Sequence, residues 1–212
     1  DVSNVENMTA MFQGSYDFNI NLSNWDTGNV VSMEAMFNDA FSFNQDISNW
    51  NVSQVTNMGA MFQDATSFDQ DLGNWDVTSL VLAYNMFAGI GLSTANYDSL
   101  LIGWHEQNLN SNVPFGAGFS QYCAGESARN EMIVVNGWSI SDGGSAGPVV
   151  DDLADQSVTD SFIFPPITGS NLSGNEAYFL GPNGTGTQYN PGDVVPFAVF
   201  SSYPVVIYIY DE

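Results

Sequence analysis

Across 212 residues, 24 Asp and Glu stand against a single Lys or Arg, for a formal charge of −23. A field of that sign repels nucleic acid and anionic membranes and gathers cations, while 44% hydrophobic and 14% aromatic residues supply a packed core. Nucleic-acid binding is excluded on charge, and self-repulsion of this size suits a salty extracellular setting, where the Debye length is about 8 Å. No run approaches the roughly 18 apolar residues of a membrane span, and no basic segment opens the chain. Asp1 falls in the middle of a repeat, so the chain reads as an excerpt of something longer.

The repeat has a period of 25 residues. Met11-Phe12, Met36-Phe37, Met61-Phe62 and Met86-Phe87 recur on it, as do Trp25, Trp50 and Trp75, each preceded by Asn. Val5, Val30, Val55 and Leu80 form a further column, and so do Met8, Met33 and Met58, Phe18, Phe43 and Phe68, and Leu22, Ile47 and Leu72. A unit this short cannot bury its own apolar face, so neighbouring copies must stack and share a core. Helix-pair repeats need about 33 residues and propeller blades about 40, which leaves the leucine-rich-repeat range of about 20 to 29. Val55, Met58, Phe62 and Ala65 have the spacing of one helical face, with Ser53 as N-cap. Ser3 and Glu6 read as a capping box in the first coil. The short strand of each coil is expected near Gln70 to Gly73. The methionines are read as core filler, and Asn24, Asn49 and Asn74 as a structural amide ladder.

The run WNVSQVTNMGAMFQDATSFDQDLGNW, residues 50–75, resembles the BspA-type surface repeats of mycoplasma and Bacteroidetes lipoproteins, a divergent leucine-rich-repeat branch. The second coil departs from that pattern at Thr27 and Gly28, and the fourth loses it after Phe87. The resemblance covers about residues 1–144. It implies surface display and adhesion without a shared catalytic site.

After Phe87 a capping segment is expected over about 92–144. It begins with a helix that has Thr94 as N-cap and Tyr97, Leu100, Leu101 and Trp104 on one face. A second helix is expected within Glu126 to Val135, then a strand at Trp138 to Ser141. QYCAGESARNEM and NGWSISDGG resemble the closing segment of Bacteroidetes members of the family. Arg129 is expected to pair with a carboxylate, and Cys123, which has no disulfide partner in the chain, to be a small buried residue.

SDGGSAG, Ser141 to Gly147, reads as a flexible break between a repeat domain, 1–147, and a second part, 148–212. That part opens with the acidic linker VVDDLADQSVTD. Phe162, Phe164 and Pro165-Pro166, then EAYFL, PNGTGTQY and VVIYIY, read as strands and hairpins. The segment resembles the immunoglobulin-like modules of flavobacterial surface proteins, although its length is short of the ~100 residues of a full sandwich. The fold expected for the whole is thus an α/β repeat solenoid of leucine-rich-repeat-like coils followed by a small, incomplete all-β sandwich.

No nucleophile, phosphate-binding or zinc-protease motif is present, and His105, the only histidine, follows Trp104 on a helix, where a structural role is expected. No catalytic residue is assigned. Calcium is the one inorganic candidate. Stacking would set Asp46 beside Asp71 and Asp39 beside Asp64 at about the ~4.8 Å strand spacing, where such pairs bind a cation, share a proton or splay into solvent. Asp98-Ser99-Leu100 matches a short glycosylation signal that resembles Bacteroidetes usage, with Ser99 the acceptor; an ordinary helix start competes with it. The reading is a secreted or cell-surface, non-catalytic module for adhesion, display or assembly, with a protein or glycan ligand or self-association at its open ends. The alternative is a carbohydrate-binding module of a secreted enzyme.

Overall fold

The computed structural model describes residues 2–146, 149–150, 161–164, 166–167, 169–170, 177–181, 185–196 and 208–210. The chain divides into two compact units, Asp1–Ala146 and Gly147–Glu212.

In the segment from Met58 to Ala65 successive backbone N–H groups go two ways. Those of Met61, Gln63 and Ala65 close local turns onto Met58, Ala60 and Phe62. Those of Met58, Ala60, Phe62 and Asp64 instead reach the next coil, at the carbonyls of Leu82, Tyr84, Met86 and Ala88, over 2.7–2.9 Å. A helix would direct all of them to the residue four before. The alternation requires left-handed backbone at two places per coil. Ala10, Ala35, Ala60 and Asn85 have φ of 52–55°, and Gly14, Asp39, Asp64 and Gly89 have φ of 58–79°.

The helix and strand expected in each coil are therefore absent. Across the four coils the described residues form turns joined by single parallel bridges, Asn7 to Ser32, Ser32 to Asn57 and Asn57 to Leu82. The α/β repeat solenoid of leucine-rich-repeat type is not the fold. The 3–4 spacing that suggested a helix is also the spacing of overlapping turns. Ser53 starts no helix, since its N–H and hydroxyl both turn back to Asn51 Oδ1. Ser3 and Glu6 likewise flank a turn, closed by Val5 N–H on the Val2 carbonyl at 2.9 Å. At Gln70 to Gly73, where the strand was expected, Gly73 N–H closes a turn on Asp71 Oδ1.

Like residues nevertheless lie in file. Phe12, Phe37, Phe62 and Phe87 stack at 5.5–5.7 Å between ring centroids with interplanar angles of 4–13°. Phe43 and Phe68 stack at 5.9 Å beside them, and Trp25 lies over Trp50 at 6.3 Å. Two of the indoles are also tied to the preceding coil, Trp50 Nε1–H to the Leu22 carbonyl and Trp75 Nε1–H to that of Ile47, both at 3.1 Å. Met33, Met36, Met58, Met61 and Met86 are fully buried among these rings, filling gaps as flexible thioethers do.

The stack ends on α1 (Thr94–His105), β1 (Pro114–Gly116), α2 (Glu126–Val134) and β2 (Ser139–Ser141). The strand β1 pairs in parallel with β2 and takes the place of a fifth coil, with Ala83 and Phe87 donating to the Pro114 and Gly116 carbonyls. Trp104 on α1 inherits the indole bond, to Leu72 O at 3.0 Å. Phe115 meets Phe87 edge-on, at 77°. Ser93, not Thr94, caps α1, its hydroxyl accepting Asn96 N–H.

In the second unit, β3 (Val149–Val150) pairs with β5 (Gly169–Ser170), and β4 (Ser161–Ile163) with β8 (Val194–Pro196). The strand β6 (Ala177–Gly181) lies between β7 (Thr185–Tyr189) and β9 (Tyr208–Tyr210), all antiparallel. Among the described residues seven strands of two to five residues, divided among three small sheets, do not make the immunoglobulin-like sandwich that was expected. Phe164 packs on Tyr178 and Tyr189 at 4.7 and 4.9 Å. Pro165, the acidic stretch 151–160, residues 182–184 of PNGTGTQY and residues 205–207 of VVIYIY lie outside the described residues.

Gly103 in α1 lies so close to the Leu72–Asn74 turn that a Cβ there would stand 2.1 Å from the Gly73 carbonyl oxygen. Alanine in a helix is ordinarily favoured over glycine by about 1 kcal/mol, whereas overpacking costs about 1–3 kcal/mol. Gly103→Ala is expected to lower stability in chemical denaturation, against its propensity; a stabilised variant refutes this packing.

Candidate interaction surface

The acidic residues have a local task. Asn21, Asp46 and Asp71 form one column, and each accepts through Oδ1 the N–H of the residue two further on, at 2.8–2.9 Å. Asp26, Asn51 and Asp76 form a second such column, at 3.1–3.2 Å. These Asx turns set the corners of the coils. The backbone N–H and hydroxyl of Ser48 hold the Asp46 carboxyl below its ordinary range. Asp46 and Asp71 are exposed, Asp39 and Asp64 half-buried in left-handed turns. Among the described residues no three His, Cys, Asp or Glu side chains converge in a group that could hold a metal ion.

A third column carries bonds from one coil to the next. Asn19 Oδ1 accepts from Asn44 N–H and Gln45 Nε2, and Asn44 Oδ1 from Asp69 N–H and Gln70 Nε2. Asp69 Oδ1 accepts from Ser93 N–H, Ser93 Oγ and Asn96 Nδ2, which fixes the start of α1. Among the described residues the column expected to do this, Asn24, Asn49 and Asn74, supplies one bond between coils, Asn49 Nδ2 to the Ser23 carbonyl at 2.8 Å. The missed ladder was visible as Asn, Asn, Asp at the same period.

In the cap, polar side chains are committed to one another. Arg129 grips Asp142 through Nε and Nη2, at 2.6 and 3.2 Å, and Tyr97 donates its hydroxyl to the same carboxylate at 2.9 Å. Arg129 also lies over the Tyr122 ring, 4.9 Å from its centroid. Burial alone would raise the Asp142 carboxyl, but hydrogen bonds from Arg129, Tyr97 and the Gly144 N–H outweigh it and hold it below the ordinary value of 3.8. Burial, and then the Asp142 charge, push the Tyr97 phenol far up. Asp98 reaches from α1 to the start of α2 and accepts three successive N–H groups, of Cys123, Ala124 and Gly125, at 2.8–3.1 Å. Cys123 is half-buried, not buried as expected. His105 Nε2 meets Glu131 Oε2 at 3.0 Å, joining the two helices. Ser99 is half-buried on α1, its hydroxyl against Gly73.

The outer face beside the bridges has a different character. Val31, Val81, Leu82 and Tyr84 are exposed there. Tyr84 crosses Gly59, where a Cβ would come within 2.6 Å of its ring, and donates its hydroxyl to Glu34, two coils back. Asn57 Nδ2 holds the other oxygen of Glu34 at 3.1 Å. The bond to Glu34 raises the Tyr84 phenol. The row joins apolar spots and fixed polar groups on one rigid surface.

Residues 1–99, slightly under half of the chain, match a family model described as a mycoplasma protein of unknown function, DUF285. The matched segment spans the four coils and the first residues of α1. It is compatible with the mycoplasma side of the resemblance in sequence, while the leucine-rich-repeat and immunoglobulin-like assignments gain nothing from it. No curated protein and no solved structure matches the chain. Among the described residues no helix is long and apolar enough to cross a membrane.

Removing one partner of a buried ion pair costs about 3 kcal/mol or more, and the Asp142 side chain is only 3% exposed. Asp142→Asn is expected to lose about that much at neutral pH in urea unfolding. Because its folded pKa is depressed, the stability it contributes is complete above its unfolded value and is lost as pH falls through the folded one. Wild-type stability should therefore fall more steeply than the variant's below about pH 4; parallel curves contradict the linkage.

Proposed function

We propose that the repeat unit is a non-catalytic extracellular module that binds a protein or glycan ligand in adhesion, display or assembly. The bridge face carries the reading: Val31, Val81, Leu82 and Tyr84 stand exposed on a frame of backbone bonds between coils, with Glu34 and Asn57 already oriented. Rigid aromatic and aliphatic anchors on a preformed surface are what recognition with little ordering cost requires. Support also comes from the side chains that chemistry would recruit, since His105, Arg129, Asp98 and Asp142 have partners within the cap. The similarity of residues 1–99 to a mycoplasma family accords with a place at the cell surface.

The carbohydrate-binding reading draws on a different observation. Tyr16 and Phe41 stack at 4.9 Å while 57% and 40% exposed, outside the core columns. Protein and glycan arrays probed with the full chain separate the two. A bridge-face ligand is expected to be lost with Val81→Asp and retained with Tyr16→Ala. The reverse pattern moves the function to the Tyr16–Phe41 pair, and a ligand indifferent to both removes both surfaces from consideration.

A further inference from the structure

The first coil has the same apolar columns as those after it, yet they are unequally covered. Met11 is 41% exposed, whereas Met36, Met61 and Met86 are each 0% exposed. Val5, Phe12, Phe18 and Trp25 are partly buried where their counterparts one period on lie within the core. The backbone has the same asymmetry. The carbonyls of Ser32, Glu34, Met36 and Asn38 each accept an N–H from the coil before, at 2.8–2.9 Å, and the third and fourth coils repeat the pattern. Among the described residues nothing donates to the equivalent carbonyls of Asn7, Thr9, Met11 and Gln13.

We propose that this edge is an interaction surface for a further coil of the same 25-residue repeat, laid on it in the same parallel register. The inference deepens the assembly role proposed above and, as a statement about function, rests on it. Three junctions within the molecule identify the occupant. At each, the same columns are covered by a coil whose alternate N–H groups point at this row of carbonyls and whose rings continue the stacks. The left-handed residues are what direct those N–H groups outward, so an ordinary helix, with its N–H groups turned inward, does not fit. A second copy placed head to head by a twofold axis would set this carbonyl row toward its own image, acceptor against acceptor.

Asp1, Asp26, Asn51 and Asp76 share one column, so a copy of residues 51–75 placed ahead of Asp1 keeps the register and the Trp-Asp junction. Methionine oxidation follows exposure, so peroxide attack at Met11, followed by mass spectrometry on the full chain, is expected to slow about tenfold or more with the added copy. A scrambled copy of equal composition should leave the rate unchanged. Equal protection by the scrambled copy, or none by the registered one, overturns the proposal. So does Met11 protection that rises with concentration together with dimer mass in the unextended chain, which makes a second copy the occupant. None of these readouts involves an array ligand, so this inference and the proposed function can fail separately.

Discussion

Everything in the repeat unit follows from a backbone N–H that leaves its own coil. Phe62 donates to Met86 and Phe37 to Met61, and each such bond fixes the lateral position of two coils at once. With that offset fixed, rings at equal positions must meet, and the phenylalanine stacks, the indole bonds and the Asn19–Asn44–Asp69 ladder have one register available. The constraint has a cost. Ala10, Ala35 and Ala60 occupy left-handed backbone, at about 1–2 kcal/mol each relative to a right-handed conformation. Burial of the ring columns offsets it, since removing one buried phenylalanine side chain costs about 3–5 kcal/mol.

Part of the large negative charge is a by-product of the same geometry. Corners that recur every few residues need short side chains able to accept a nearby N–H, and Asp and Asn supply them. Asp46, Asp71, Asp26 and Asp76 sit at such corners, and Asp39 and Asp64 at left-handed positions. Six of the 24 acids are thus architectural, and the bridge face, where Val31, Val81, Leu82 and Tyr84 gather, is comparatively apolar.

The period, the columns and the filing of like rings were legible because identical residues 25 apart admit no other arrangement that buries them. The first cap helix was legible because Tyr97, Leu100, Leu101 and Trp104 keep helical spacing, although its cap is Ser93 and not the Thr94 expected, and the second, expected within Glu126 to Val135, is α2. The turn-built interior of each coil was not, for Val55, Met58, Phe62 and Ala65 fit helix and overlapping turns alike. The distinguishing signal lay elsewhere, in Gly14, Asp39, Asp64 and Gly89 at one position of the period, residues that tolerate positive φ. At the candidate surface, Tyr84 reaching Glu34 over Gly59 spans two coils, a distance that no local pattern encodes. Asp142 as the partner of Arg129 was likewise beyond reach, since 24 acids competed for one cation.

The indole bonds have a consequence for how such a protein changes over time. Trp104 stands on a helix, in a segment unlike the coils, yet it makes to Leu72 the bond that Trp75 makes to Ile47 and Trp50 to Leu22. Through this bond the terminator uses a contact that the earlier coils make to one another. Whole units can be gained or dropped upstream with no redesign of the closing piece, so reach is adjustable in discrete steps while the fold's finish stays constant.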